Sequence, residues 1–217
     1  MSRQRIALIG DSQAEALWPR VQSLMPEAEF VLSRFQRGWS EGSYKSDGTL
    51  TAQLAAARPD VVVIELGGNN SSLSDASYRP NIDWILAAAK ASGTRTVLWF
   101  GPAAATKEPY KSNKEWTRSY QSQYLPQKGV IWYDNFPHTQ SGHVDGVHFG
   151  GSVYNAWAPV LVEQIRKAAA ASSGIGSLLA STTGKKYALA GLGVLTGGFL
   201  LALAFKRVLT TGKDVAT

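Results

Sequence analysis

The stretch "IALIGDSQAEAL", residues 6–17, decides the fold. It opens on four apolar residues, β-branched at Ile6 and Ile9, and breaks at Gly10, Asp11 and Ser12. A short apolar run bounded by turn residues reads as a strand buried on both faces, as in a parallel sheet. Ala14, Leu17, Val21 and Leu24 then recur at helical spacing, which predicts an amphipathic helix over Gln13–Leu24. Strand, tight turn and helix together form the opening unit of an α/β fold. On local grounds Ser12 has two readings. It is either a helix cap or a nucleophile set at the carboxyl end of a strand.

The alternation continues outward from this unit. Apolar runs predict strands at Arg5–Gly10, Glu29–Ser33, residues 60–66 ("DVVVIEL"), Thr94–Phe100 and Val130–Tyr133. Helical patterns fall at Leu50–Ala57, from near Pro80 to Ala91, at about residues 111–124, and from Ser152 to about Ala171 with an expected kink at Pro159. "GWSEGSYKSDG", residues 38–48, reads as a loop rich in Gly and Ser. The expected architecture is a five-stranded parallel sheet covered by helices on both faces, a flavodoxin-like three-layer sandwich.

Composition narrows the chemistry. The 217 residues contain no cysteine, which excludes disulfides, thiolate metal sites and a cysteine nucleophile. The net charge of +6 is concentrated late, where Lys185, Lys186, Lys206, Arg207 and Lys213 face only Asp214. That placement points to flanking of a membrane segment and away from a nucleic-acid surface. Between these basic pairs lies "YALAGLGVLTGGFLLALAF", Tyr187–Phe205, which is uncharged and as a helix would reach roughly 28 Å. One C-terminal transmembrane helix is therefore expected, with the lipid bilayer as its partner and Gly193 and Gly197 as a helix–helix contact. The expected division is 1–171 for the folded domain, 172–185 for a linker rich in Ala, Ser and Gly, 186–208 for the transmembrane helix and 209–217 for a polar tail. No secretory signal precedes the first strand, so the chain reads as membrane-anchored from its C-terminal end. Basic residues flank both ends alike, so the side of the membrane stays open, and a virion-associated phage protein is one reading.

In an open parallel sheet, ligands bind outside the carboxyl ends of the strands. Following the predicted strands, those ends carry Gly10-Asp11-Ser12, then Gly38-Trp39-Ser40, then Gly67-Gly68-Asn69-Asn70, and finally "HVDGVHFGG", residues 143–151. Acyl transfer needs a nucleophile, a base, a group orienting that base, and donors for an oxyanion. Ser12, His148 and Asp145 can supply the first three, and Gly38, Asn69 and the Ser12 N–H the last. Trp39 is placed to line the cleft. His138 and His143 lie near His148 in sequence, but their spacing matches no common ligand motif, so no metal and no cofactor are expected.

These four blocks resemble the SGNH, or GDSL-like, hydrolase family over about residues 5–170. "IGDS" matches the first block and implies Ser12 as nucleophile. "RGWS" resembles the second and implies Gly38 as oxyanion donor, with Gly42 as a second candidate glycine. "ELGGNN" resembles the third and implies Asn69 in the oxyanion hole. "DGVHF" matches the last and implies Asp145 and His148. Asn70 departs from the pattern, which typically has Asp there. The resemblance implies a serine esterase without cofactor, with a short acyl group on a carbohydrate or cell-envelope glycan as the expected substrate. A lipid ester at the membrane and a non-catalytic glycan-binding or virion structural module are the alternatives.

Overall fold

The computed structural model describes residues 3–71 and 73–181, the side chains beyond 172 apart. Its five strands are β1 (Arg5–Gly10), β2 (Glu29–Phe35), β3 (Val61–Glu65), β4 (Thr96–Phe100) and β5 (Ile131–Tyr133). They form one parallel sheet in the order β2-β1-β3-β4-β5. The apolar runs are continuous because both faces of the sheet are covered. Successive side chains point to opposite faces. Ile6, Leu8, Val61, Val63, Leu98 and Phe100 accordingly fall in one core cluster, while Ala7, Ile9, Val62, Ile64 and Trp99 fall in the other.

The first face is covered by α1 (Ser12–Leu24), through Leu17, Trp18 and Val21, and by α6 (Gly151–Ser181), through Trp157, Leu161 and Ile165. The second is covered by α2 (Glu41–Asp47), α3 (Leu50–Ala57), α4 (Asp75–Ala91) and α5 (Tyr110–Gln127), through Tyr44, Leu54, Ile82, Ile85 and Leu125. Fully burying one such side chain contributes roughly 1.5–3 kcal/mol. The chain turns from β1 toward β2 on one side and toward β3 on the other, so the switch point of the sheet lies between β1 and β3. That is where such folds open a crevice for ligands.

Three expectations change. The predicted loop at residues 38–48 contains α2, a short helix with a capping box between Ser40 and Ser43 and a left-handed Gly48 closing its end. It has no apolar stripe to betray it, since it buries only Glu41 and Tyr44. The fourth helix begins well before Pro80, at Asp75, because the Ser74 hydroxyl accepts from Ser77 N–H and starts it there. The last helix passes Ala171 and continues to Ser181, into the stretch expected as a linker. Among the described residues no helix is long and apolar enough to cross a membrane. The segment expected to do so, Tyr187–Phe205, lies outside them, as do Gly193 and Gly197.

Candidate active site

Ser12 is the first residue of α1, directly beyond the carboxyl end of β1. Asp11 is the cap, its Oδ1 accepting from Gln13 N–H at 2.9 Å. The two local readings of this turn are thus divided between neighbours: Asp11 closes the helix and the Ser12 hydroxyl is left to face outward. That hydroxyl lies 3.0 Å from His148 Nε2. His148 Nδ1 lies 2.8 Å from Asp145 Oδ2.

The proton positions follow from the acids. Asp145 is held well below the usual carboxylate range by the His148 backbone N–H, the His148 ring and the Val147 N–H. An ionised carboxylate only accepts, so Nδ1 carries the ring proton and donates it to Asp145. In the neutral ring Nε2 is then an acceptor, and the Ser12 O–H donates to it. Asp145 Oδ1 meanwhile accepts from the N–H groups of Val147 at 2.9 Å and His148 at 2.7 Å. The turn that brings these together requires glycine at Gly146, where φ is +84°. A Cβ at Gly146 would lie 2.8 Å from Lys107 Cβ. The Gly146 carbonyl accepts from Thr106 N–H at 2.8 Å and from Lys107 N–H at 3.3 Å, which pins the loop to the segment after β4.

The same loop is tied to α1. Gln13, buried beside Ser12, donates from Nε2 to the Val147 carbonyl at 2.8 Å and accepts from Tyr154 O–H at 2.6 Å. Sequence reading passed over Gln13. Its signal was a long polar side chain at a position adjoining the inward stripe of α1.

Gly38 and Asn69 join Ser12, Asp145 and His148 in lining one cavity of about 600 Å³. The Ser12 N–H, at the first turn of α1, has no intrahelical acceptor. The Gly38 N–H likewise meets no acceptor among the described residues. Gly42, the alternative glycine, sits in α2 against the Asn81 side chain and does not line the cavity. Asn69 donates from Nδ2 to Asp11 Oδ2 at 3.0 Å and to the Trp39 carbonyl at 3.1 Å, so both its amide hydrogens are held from within the protein. Trp39 is placed differently from the expectation. It does not line the cavity: its ring packs edge-on against Tyr44 with centroids 5.0 Å apart, and its contribution is the carbonyl that orients Asn69.

Beneath this side of the site lies a buried charged cluster. Asp11, Glu41, Glu65 and Lys114 are all at most 1% exposed. Burial is the main cause that raises all three carboxyls, Glu41 to about 7 and Glu65 well above its ordinary value, and that lowers Lys114. Three buried acids cannot all ionise beside one ammonium. Asp11 has the donors, Gln13 N–H and the Asn69 amide, so it holds the charge, with the Lys114 ammonium acting on it through space and making no hydrogen bond among the described residues, and Glu65 stays neutral. Gly68 permits the close approach, since a Cβ there would lie 2.9 Å from Asp11 Oδ2. Helix α5 supplies the cover with a polar stripe, Lys114, Thr117 and Gln121, at helical spacing. Asn70, the departure from the family pattern, donates to Thr117 Oγ1 of that stripe at 3.0 Å.

The remaining histidines are occupied elsewhere. His138 Nε2 pairs with Tyr133 O–H at 2.9 Å and His143 Nε2 with the Ala104 carbonyl at 3.1 Å. Among the described residues no group of three or more His, Cys, Asp and Glu side chains is arranged to hold a metal ion.

The five-stranded parallel sheet, with its switch point between β1 and β3 and Ser12, His148 and Asp145 gathered there, is a flavodoxin-like α/β fold. Solved esterases share it. An aryl esterase from M. smegmatis aligns with a TM-score of 0.65 at 17% identity, over 76% of this chain and 99% of that one. A lipase/acylhydrolase from Enterococcus faecalis aligns at 0.61 and 19% identity, over 76% and 96%. An acetylxylan esterase from Geobacillus stearothermophilus aligns at 0.61 and 14% identity, over 76% and 94%. No protein-family model matches the chain, and no curated protein matches it in sequence.

Proposed function

We propose that the chain is a serine ester hydrolase that removes a short acyl group from a carbohydrate. The observation that carries this reading is the continuous run of hydrogen bonds from Ser12 through His148 to Asp145 at the mouth of a cavity. Ser12 Oγ attacks the ester carbonyl while His148 Nε2 takes its proton. The N–H groups of Ser12 and Gly38 receive the oxyanion, and Asn69 shares the hydrogen it gives to the Trp39 carbonyl. His148 returns the proton to the leaving alcohol, then activates water to release the acid. Asp145 holds the ring in the tautomer this requires. Ser12 at the first turn of α1 also places the developing charge near a positive helix end.

The lining supports a small acyl group. Beyond the residues already named, the cavity is bounded by Glu15, Arg37, Lys107, Tyr110 and Val147, so a long alkyl chain would lie against charged side chains. This favours the carbohydrate ester over the lipid ester. Membrane tethering through Tyr187–Phe205, by a bilayer-spanning helix, belongs to the same reading, and places the reaction at a membrane surface.

The test is hydrolysis of a chromogenic acetate ester by the full chain and by Ser12→Ala, together with fluorophosphonate labelling. The wild type is expected to turn over and to label at Ser12, and the variant to lose at least about 10³-fold in kcat. Equal rates in the two proteins, with no label on folded wild type, would leave the non-catalytic glycan-binding module as the reading.

A further inference from the structure

The segment from Lys107 to Asn113 presents three side chains to the cleft that the proposed mechanism does not use. Lys107 and Tyr110 line the cavity that holds Ser12 and His148. Tyr110 and Asn113 line an adjoining cavity of about 320 Å³, which shares Gly38, Asn69 and Tyr110 with the first. The site therefore continues past the triad as a groove running along the N-terminal end of α5.

Each of these side chains has a fixed base and a free head. Lys107 N–H and Thr106 N–H both donate to the Gly146 carbonyl, so the Lys107 stem is set relative to the loop that carries Asp145 and His148. Its ammonium has no acidic partner among the described residues. The other charges lining the cavity are spoken for: Arg37 is paired with Glu15 through two hydrogen bonds, and Asp145 with His148. Tyr110 is exposed and makes no ring contact or hydrogen bond with a described residue. Asn113 is half-buried; its backbone N–H donates to the Pro109 carbonyl, and its side chain makes no hydrogen bond among the described residues. A free cation, a free aromatic face and a free amide along one groove match an acidic sugar residue, whose carboxylate, ring face and hydroxyls they respectively fit.

We infer that the groove from Lys107 to Asn113 is an acceptor subsite for an anionic saccharide, with the Lys107 ammonium on a sugar carboxylate next to the acylated residue and Tyr110 stacked on a sugar ring. This rests on the proposed esterase reading for its place beside the ester, but the binding it claims needs no turnover.

The experiment separates the two. Binding is measured by calorimetry on the full-length Ser12→Ala chain, with an acetylated uronic-acid tetrasaccharide and an acetylated xylotetraose of equal length as probes. The acidic probe is expected to bind about fivefold more tightly than the neutral one, with the preference fading as salt rises. Adding Lys107→Ala should remove the preference and leave neutral-probe binding nearly as before. Adding Tyr110→Ala should weaken both probes alike, by about fivefold. Equal binding of the two probes, no binding of either, or a preference that survives Lys107→Ala would overturn the inference. So would tighter binding of lysophosphatidylglycerol than of the uronate, which would give Lys107 to a lipid phosphate. The acetate-ester assay decides the esterase reading separately, so a failure there is not mistaken for a failure here.

Discussion

The two sides of the site are built on opposite principles. The acid–base arm, Asp145 to His148, is largely exposed, and its side chains are about half accessible. It is held by short-range hydrogen bonds inside a four-residue turn. The side around Asn69 stands on Asp11, Glu65 and Lys114, which are buried and act on one another through space, from the ends of β1 and β3 and from α5. An exposed arm can be altered at little expense to folding, because water replaces what is lost. A buried charged platform cannot, because removing one member strands the others in a low-dielectric interior. Damage to the first should appear in rate, and damage to the second in stability.

The largest expected effect is on the arm. In Asp145→Asn the amide keeps an acceptor for the Val147 and His148 N–H groups but no longer favours a proton on Nδ1. We expect kcat to fall by about 10³- to 10⁴-fold while urea unfolding shifts by less than about 1 kcal/mol. A loss of several kcal/mol would show that the arm is structural after all. Next comes the platform. Lys114→Met should cost about 3–5 kcal/mol in the same unfolding experiment, and adding Asp11→Asn should recover part of it, since the charges then leave together. No loss in the single variant would mean that Asp11 does not carry the charge assigned to it.

The smallest effect is a dependence on pH. Glu41 titrates near 7 in the folded chain against an ordinary 4.5, chiefly because it is buried. Between those values the folded protein holds a proton that the unfolded chain has released, so stability is full below about pH 4.5 and falls as pH rises through 7. The loss between pH 5 and 7 is on the order of 2 kcal/mol. Thermal unfolding across that range should slope downward in the wild type and more gently in Glu41→Gln. Parallel slopes would remove Glu41 from the platform's proton balance.

The same contrast explains what was legible in the sequence. The strands and the exposed arm are local features. Apolar runs, turn glycines and the spacing of Asp145 to His148 need only neighbouring residues to be read, and Ser12, Gly38 and Asn69 follow from their places at strand ends. The platform is not local. Glu65 reads as the polar end of "VVVIE", and Lys114 as one more charge on a polar helix, until the fold places α5 over the loop after β3. Trp39 failed as a cleft residue for a related reason. Its direction depends on the chain reversal at Gly38, where φ is +74°, and on Tyr44 in a helix too short and polar to be foreseen.

The brace at Gln13 has a consequence for how the molecule comes into being. Gln13 is 134 residues from Val147 and 141 from Tyr154, and Ser12 is 136 from His148. These are nearly the longest loops the domain can close, and contacts of such separation form late. Synthesis brings out Ser12 early and His148 only 136 residues later, with β2 to β5 between them in the chain. On the proposed reading, the Ser12 hydroxyl gains its His148 partner only when the loop of Val147 docks on Gln13, so hydrolytic activity would report the completion of folding.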